Sequence, residues 1–167
     1  MTRGAPTPSE ILIKVGIRPI NSAKAPEDQV AEGNVPAART HGPYLRYSVN
    51  YAIEPGDLSF IRTSDGKVHG DFELMIVAFD STGLVVNSTD NTVHMAGSLD
   101  EIKEVASRAI FYHAEISTPV KGQYFLRIAV RDLHRDHFGA VEVATSEVRD
   151  LLPSDAALPT PAAQTNK

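Results

Sequence analysis

From Tyr44 to Ile53 the chain alternates without a break. Leu45, Tyr47, Val49, Tyr51 and Ile53 fall on one side, and Arg46, Ser48 and Asn50 on the other. A period of two is the pitch of a β-strand, whose successive side chains leave opposite faces. Such a segment requires a sheet with one face in a core. The pattern recurs. In residues 10–20, Ile11, Ile13, Val15 and Ile17 share a face, and Pro19 closes the run, as a proline does at an edge or a strand end. In residues 123–132, Tyr124, Leu126, Ile128 and Val130 point inward while Arg127 and Arg131 point outward. Residues 71–80 differ: Phe72, Leu74, Ile76 and Ala78 line one face, and Met75, Val77 and Phe79 the other. A strand with two apolar faces belongs in the middle of a sheet.

Turn residues separate these runs. Pro55-Gly56-Asp57 and Asp80-Ser81-Thr82-Gly83 reverse the chain, and Asp65-Gly66 makes a hairpin because both residues tolerate positive φ. Shorter strands are expected over 58–62, 84–88 with an extension through 92–95, 110–116 and 139–147. One helix interrupts the β pattern. Ser98 and Glu101 form a capping box, each side chain satisfying an orphaned backbone N–H. Leu99, Ile102, Val105, Ala106 and Ala109 follow at helical spacing, over about three turns that close one end of the molecule. About eight short strands with turns between them predict an all-β fold: an immunoglobulin-like antiparallel β-sandwich with one short helix.

The 167 residues suit one core, placed over residues 10–152. Residues 1–9, with Pro6 and Pro8, and residues 153–167, with three prolines, have no apolar period and read as disordered tails. Residues 21–43 are polar and rich in Ala, Pro and Gly. They form a loop longer than the roughly 15 residues usual in compact domains.

Charge and composition exclude several functions. A net charge of −5 with no Lys/Arg-rich run argues against nucleic acid and anionic membranes as partners. No stretch approaches the ~20 apolar residues of a membrane span, and the first nine residues lack the apolar run of a signal peptide. With no cysteine there is no disulfide, thiolate metal site or cysteine nucleophile. The chain has no Gly-x-Ser-x-Gly elbow, phosphate-binding loop or dinucleotide fingerprint.

The densest polar cluster is Asp132, His134, Asp136 and His137. Histidine with carboxylate is metal-ligand chemistry. Aspartate ahead of Gly139 is equally the chemistry of a solvated hairpin turn, and that is the reading favoured. His113 and Glu115 share a strand face as a surface pair. Asp71 and Glu73 share another, whereas catalytic carboxylates normally converge from facing elements. Tyr47 and Tyr51 lie on an apolar face and are expected in the core. Asn87-Ser88-Thr89 matches the glycosylation sequon. Gly122, Tyr124 and Leu126 match a corner motif of immunoglobulin-like domains, in which a tyrosine hydroxyl bonds back to the backbone. No catalytic, cofactor or metal residues are expected.

The order of motifs along the chain carries a wider similarity. Glu10-Ile11-Leu12-Ile13 runs to Val15 and Pro19, followed by Gly42-Pro43-Tyr44-x-x-Tyr47 and Asp57-Leu58-x-Phe60. Asp65-Gly66-Lys67-x-His69-Gly70 and Val77-Ala78-Phe79-Asp80 come next. Gly122-x-Tyr124-Phe125-Leu126-Arg127-Ile128 with Val130-x-Asp132 ends the series. Over residues 4–152 this resembles the region that follows the von Willebrand A domain in the VWFA-related proteins common in acidobacterial genomes. The resemblance implies a non-catalytic interaction or structural module, with a neighbouring protein domain such as the A domain as partner. It also implies that the intact protein is exported. The Asp-x-Ser-x-Ser metal motif of A domains is absent, so no metal role carries over. A carbohydrate- or small-ligand-binding module is the alternative, and an exposed row of aromatic residues would mark it.

Overall fold

The computed structural model describes residues 2–149. The C-terminal tail expected over 153–167 lies outside the described residues. The described residues build eight strands: β1 (Ile13–Pro19), β2 (Tyr44–Ile53), β3 (Ile61–Arg62), β4 (Val68–Asp80), β5 (Val85–Gly97), β6 (Ile110–Pro119), β7 (Tyr124–Asp132) and β8 (Phe138–Ala144). Two short helices, α1 (Leu99–Ala106) and α2 (Thr145–Arg149), complete it. All strand pairs are antiparallel. One sheet has the order β1-β2-β6. In the other, β4 lies between β5 and β7, β8 flanks β7, and β3 pairs with the start of β4. The protein is an antiparallel β-sandwich. No helix of the described residues is long and apolar enough to cross a membrane.

The alternating strands deliver their apolar faces to a shared core. Tyr47, Val49, Tyr51 and Ile53 from β2 meet Phe72, Leu74 and Ile76 from β4 and Leu126, Ile128 and Val130 from β7, all buried. Burying each large apolar side chain contributes roughly 1.5–3 kcal/mol, which sets the strand register: a slip of one residue would turn this set to solvent. The two-sided strand β4 is central, as its pattern requires. Its outward Met75 and Val77 are half-buried between neighbouring strands.

Four segments differ from the sequence expectation. Strand 139–147 ends at Ala144, because Phe125↔Ala144 is the last register pair that β7 offers. The chain then turns into α2, which places Val148 in the core. The helix is also shorter than expected. The Ser98–Glu101 capping box forms in both directions, but the Ser107 hydroxyl donates to the Glu104 carbonyl and ends α1 a turn early. Strand 58–62 shrinks to Ile61–Arg62 behind a 3-10 turn at Pro55–Asp57.

Strand 10–20 divides in two. Glu10 and Ile11 donate to the Phe138 carbonyl and Ala140 donates to Pro8, so residues 8–11 belong to the β8 edge. Only from Ile13 does the chain pair with β2. Ahead of this crossover, residues 2–9 lie over the outer side of β7 and β8 instead of standing free. Arg127 points outward, as its strand position demands, yet is only 4% exposed. It donates to the carbonyls of Ala5 and Pro6 at 2.9 and 2.7 Å. The Arg3 guanidinium sits 3.7 Å above the Phe125 ring. Prolines lack an N–H but keep a carbonyl acceptor. Arg127 and the Ala140 N–H use those acceptors, and this is what composition could not show.

Candidate functional site

At the side where β5 faces β6 the two sheets are not paired through their backbones; the Asn91 amide, donating to the Tyr112 hydroxyl, bridges them midway. Residues 21–43 contain no strand or helix, but part of this loop plugs half of that opening. Val35 and Ser88 exchange both backbone bonds, and Ala37 donates to Val86, so the loop pairs with β5 as a short antiparallel segment. On the other side the Asn34 amide acts as a substitute for a strand. Its Nδ2 donates to the Glu115 carbonyl at 2.9 Å, and its Oδ1 accepts from the Ser117 N–H at 2.9 Å. Buried Asn87 ties both edges together, donating to Asn34 Oδ1 at 2.7 Å and to the Ser117 carbonyl at 2.8 Å. The sequon asparagine is therefore spent on structure. None of this was visible in sequence, because asparagines in a polar loop carry no periodic signal.

Beyond Gly33 the loop leaves the edge and the other half stays open. The opening is a groove of about 940 Å³, within the range of ligand clefts. Val93 and Met95 of β5 and Ile110 and Tyr112 of β6 line it, with Ile102 and Val105 of α1 as its wall. Glu104 and Arg108 pair with each other on the rim, and Phe111 stands beside them, 53% exposed. The helix was legible in the sequence; the groove beneath it depends on which strands end up at the sheet edges.

The members of the polar cluster turn to different partners. Asp132 is 1% exposed. Its Oδ2 accepts from the Ser59 N–H at 2.5 Å, and its Oδ1 from the N–H groups of His134 and Arg135 at 2.7 and 3.0 Å. Burial alone would raise its carboxyl; the hydrogen bonds from Ser59, His134 and Arg135 outweigh burial and hold it below the usual carboxylate range. Asp136, at positive φ in the turn, pairs with Arg131 at 2.6 Å. His134 turns to Asp71 instead, Nε2 to Oδ2 at 3.0 Å, and His94 bonds the other Asp71 oxygen at 2.7 Å. His137 gives its backbone carbonyl to Asp132. Among the described residues no group of three or more ligand-type side chains is arranged to hold a metal ion. The Asp71–His94–His134 contact was missed in sequence because it depends on the β4–β5 register, which sets Asp71 opposite His94. His113 and Glu115 stand 3.8 Å apart on β6, and Glu73 faces Arg131 at 4.0 Å.

Tyr124 begins β7 with its hydroxyl donating to the Lys121 carbonyl at 2.5 Å. Gly122, at φ +126°, lets the ring lie across it: a Cβ there would meet the hydroxyl at 2.6 Å. Leu126, two residues on, is in the core. Tyr124→Phe should cost about 1 kcal/mol in urea denaturation, at the lower end for a lost hydrogen bond because exposed Lys121 can turn its carbonyl to water. An unchanged midpoint would make Tyr124 an ordinary strand residue. The other tyrosines singled out, Tyr44, Tyr47 and Tyr51, are all buried. Burial, with Tyr112 nearby, pushes the Tyr51 hydroxyl above the normal phenol range.

No family model matches the chain, and no curated protein matches it. A solved structure described as the X-ray structure of Northeast Structural Genomics Consortium target SoR45 is similar over 97% of this chain and 100% of its own, at 8% identity and a TM-score of 0.35. A likeness that slight supports no functional reading.

Proposed function

We propose that this protein is a non-catalytic interaction module that docks a partner protein at the open side of its sandwich, between β5 and β6. One observation carries the reading. Asp132, His134 and Asp71 are engaged in holding the fold, while a wide groove between β5 and β6 has Val93, Met95, Ile110 and Tyr112 in its lining and strand edges on its border. Edges of that kind are normally covered, blunted or used. The strand order, β1-β2-β6 facing β5-β4-β7-β8, supports an immunoglobulin-like sandwich. The order of motifs supports an accessory domain of a VWFA-related bacterial protein, exported with it, whose partner is a neighbouring protein domain. The alternative, a carbohydrate- or small-ligand-binding module, has less support, since Tyr44, Tyr47 and Tyr51 are in the core and Phe111 with Tyr112 are the aromatic residues at the groove.

The other strand edge is β1, and the residues just ahead of it, 8–11, are taken by β8. Photo-crosslinking in the native cell separates the two faces. A benzoylphenylalanine at Phe111 should give an adduct with one defined protein, and the same probe at Lys121 should not. Adducts from Lys14 alone would move docking to the β1 edge. Adducts from none of the three positions would end the docking reading.

A further inference from the structure

The half-plugged opening has a feature that specifies the form of its occupant. Ser88 spends its N–H and C=O on Val35, away from β4. In an antiparallel strand alternate residues point the same way. Asp90, Thr92, His94 and Ala96 therefore turn their backbone groups to the same side, and no loop or strand among the described residues pairs with them there. Across the groove, Glu115 and Ser117 of β6 are satisfied by Asn34, whereas Phe111 and His113 in the same outward row are not. The chain's own residues 34–37 thus occupy one half of a strand-sized slot, and the chain leaves it at Gly33, whose φ of +73° turns the backbone away. The remaining half has hydrogen-bonding groups in register with the occupied half, and Val93, Met95, Ile110 and Tyr112 lie in its lining beside His94 and His113.

We propose that this slot takes an extended peptide segment of the partner, added as a strand antiparallel to β5 along residues 90–96, with its C-terminal end meeting Gly33. This rests on the docking reading above and supplies its mode. The main chain of such a segment pairs with the β5 edge. Alternate side chains enter the groove beside Val93, Met95, Ile110 and Tyr112, so the motif has apolar residues at every second position and tolerates polar residues between them. The direction is the one that residues 34–37 already follow. A second copy pairing edge to edge through β5 would satisfy the same groups but leave the groove floor uncovered, and for that reason the peptide is the better occupant.

A random octapeptide phage library panned on the full chain tests this without knowledge of the natural partner. Selected peptides should alternate apolar and polar residues and slow hydrogen exchange at residues 90–96. Methylating the peptide backbone nitrogens one at a time should weaken binding at least tenfold at every second position and little at those between. That measurement leaves the protein unaltered. Thr92→Pro is the matching change in the protein: its N–H faces away from β4, so the β4–β5 ladder survives and peptide affinity should fall at least tenfold. Peptides that protect another surface, a methylation scan without alternation, or no selected peptide at all would overturn strand addition. Concentration-dependent protection of 90–96 in the protein alone would assign the edge to a second copy and overturn it too. None of these outcomes would remove a Phe111 crosslink, so the docking reading stands or falls separately.

Discussion

Gly139→Ala should destabilise the protein by about 3 kcal/mol. A Cβ on residue 139 would stand 2.0 Å from the Ile11 carbonyl oxygen and 3.0 Å from its carbon. Both are backbone atoms of a segment pinned to β8 by the Glu10, Ile11 and Ala140 hydrogen bonds, so no side chain can swing aside. The crossover must lift, uncovering Ile11, which is 1% exposed. Losing one buried isoleucine at roughly 1.5–3 kcal/mol and one or two backbone bonds at about 1 kcal/mol each accounts for the size. Urea denaturation gives the stability. Limited proteolysis gives the location: residues 2–9 should resist cleavage in the parent protein and become cleavable in the variant. Equal midpoints and equal cleavage would show that the N-terminal segment is a loose tail after all.

Asp132→Asn should cost a similar amount, about 3 kcal/mol, although the two side chains have almost the same shape. Both Asp132 oxygens accept backbone N–H groups. An amide has one oxygen and one NH2, so at least one buried donor then faces another donor, and an unsatisfied buried group costs about 1–3 kcal/mol. The links between the β7–β8 turn and Ser59 loosen together. The acid dependence follows in a defined direction. The folded-state pKa of Asp132 is lowered, so its stabilisation is complete above the ordinary carboxylate value near 4 and is lost as the pH falls from there through the lowered value. Asp132→Asn should therefore lose less stability than the parent between pH 5 and pH 2. A parallel loss in both proteins would mean that other carboxylates carry the acid sensitivity.

The sandwich was legible because it rests on periodicity. A strand that buries one face must alternate, as Leu45 to Ile53 of β2 and Tyr124 to Val130 of β7 do at every second residue, and β4, apolar on both faces, takes the middle of its sheet. The capping box was legible because it is local: Ser98 and Glu101 lie one turn apart and need nothing else. Asp132, His134, Asp136 and His137 were read as a solvated turn, and the reading did not include that buried Asp132 holds the β3 approach or that His134 belongs with Asp71. Those partners are set by sheet register between segments far apart in sequence. The same limit applies to residues 2–9, read as part of a disordered tail, and to 21–43, read as a long polar loop: their backbone groups are what Arg127, Ser88 and Ala140 bind, and Asn34 supplies a side chain that does the work of a strand.

By itself, then, the sequence determined which segments are strands, which face of each is buried, and where the helix begins. These depend on hydrophobic period and on hydrogen bonds within a turn of the chain, and burial of the same faces enforces them in any sandwich the strands could form. Tertiary structure alone decided which strands lie at the edges, which loop covers them, and how far. Unpaired N–H and C=O groups are identical at every residue, so only the spatial neighbours of β5 and β6 determine that residues 34–37 satisfy one half of the opening and leave the other half free.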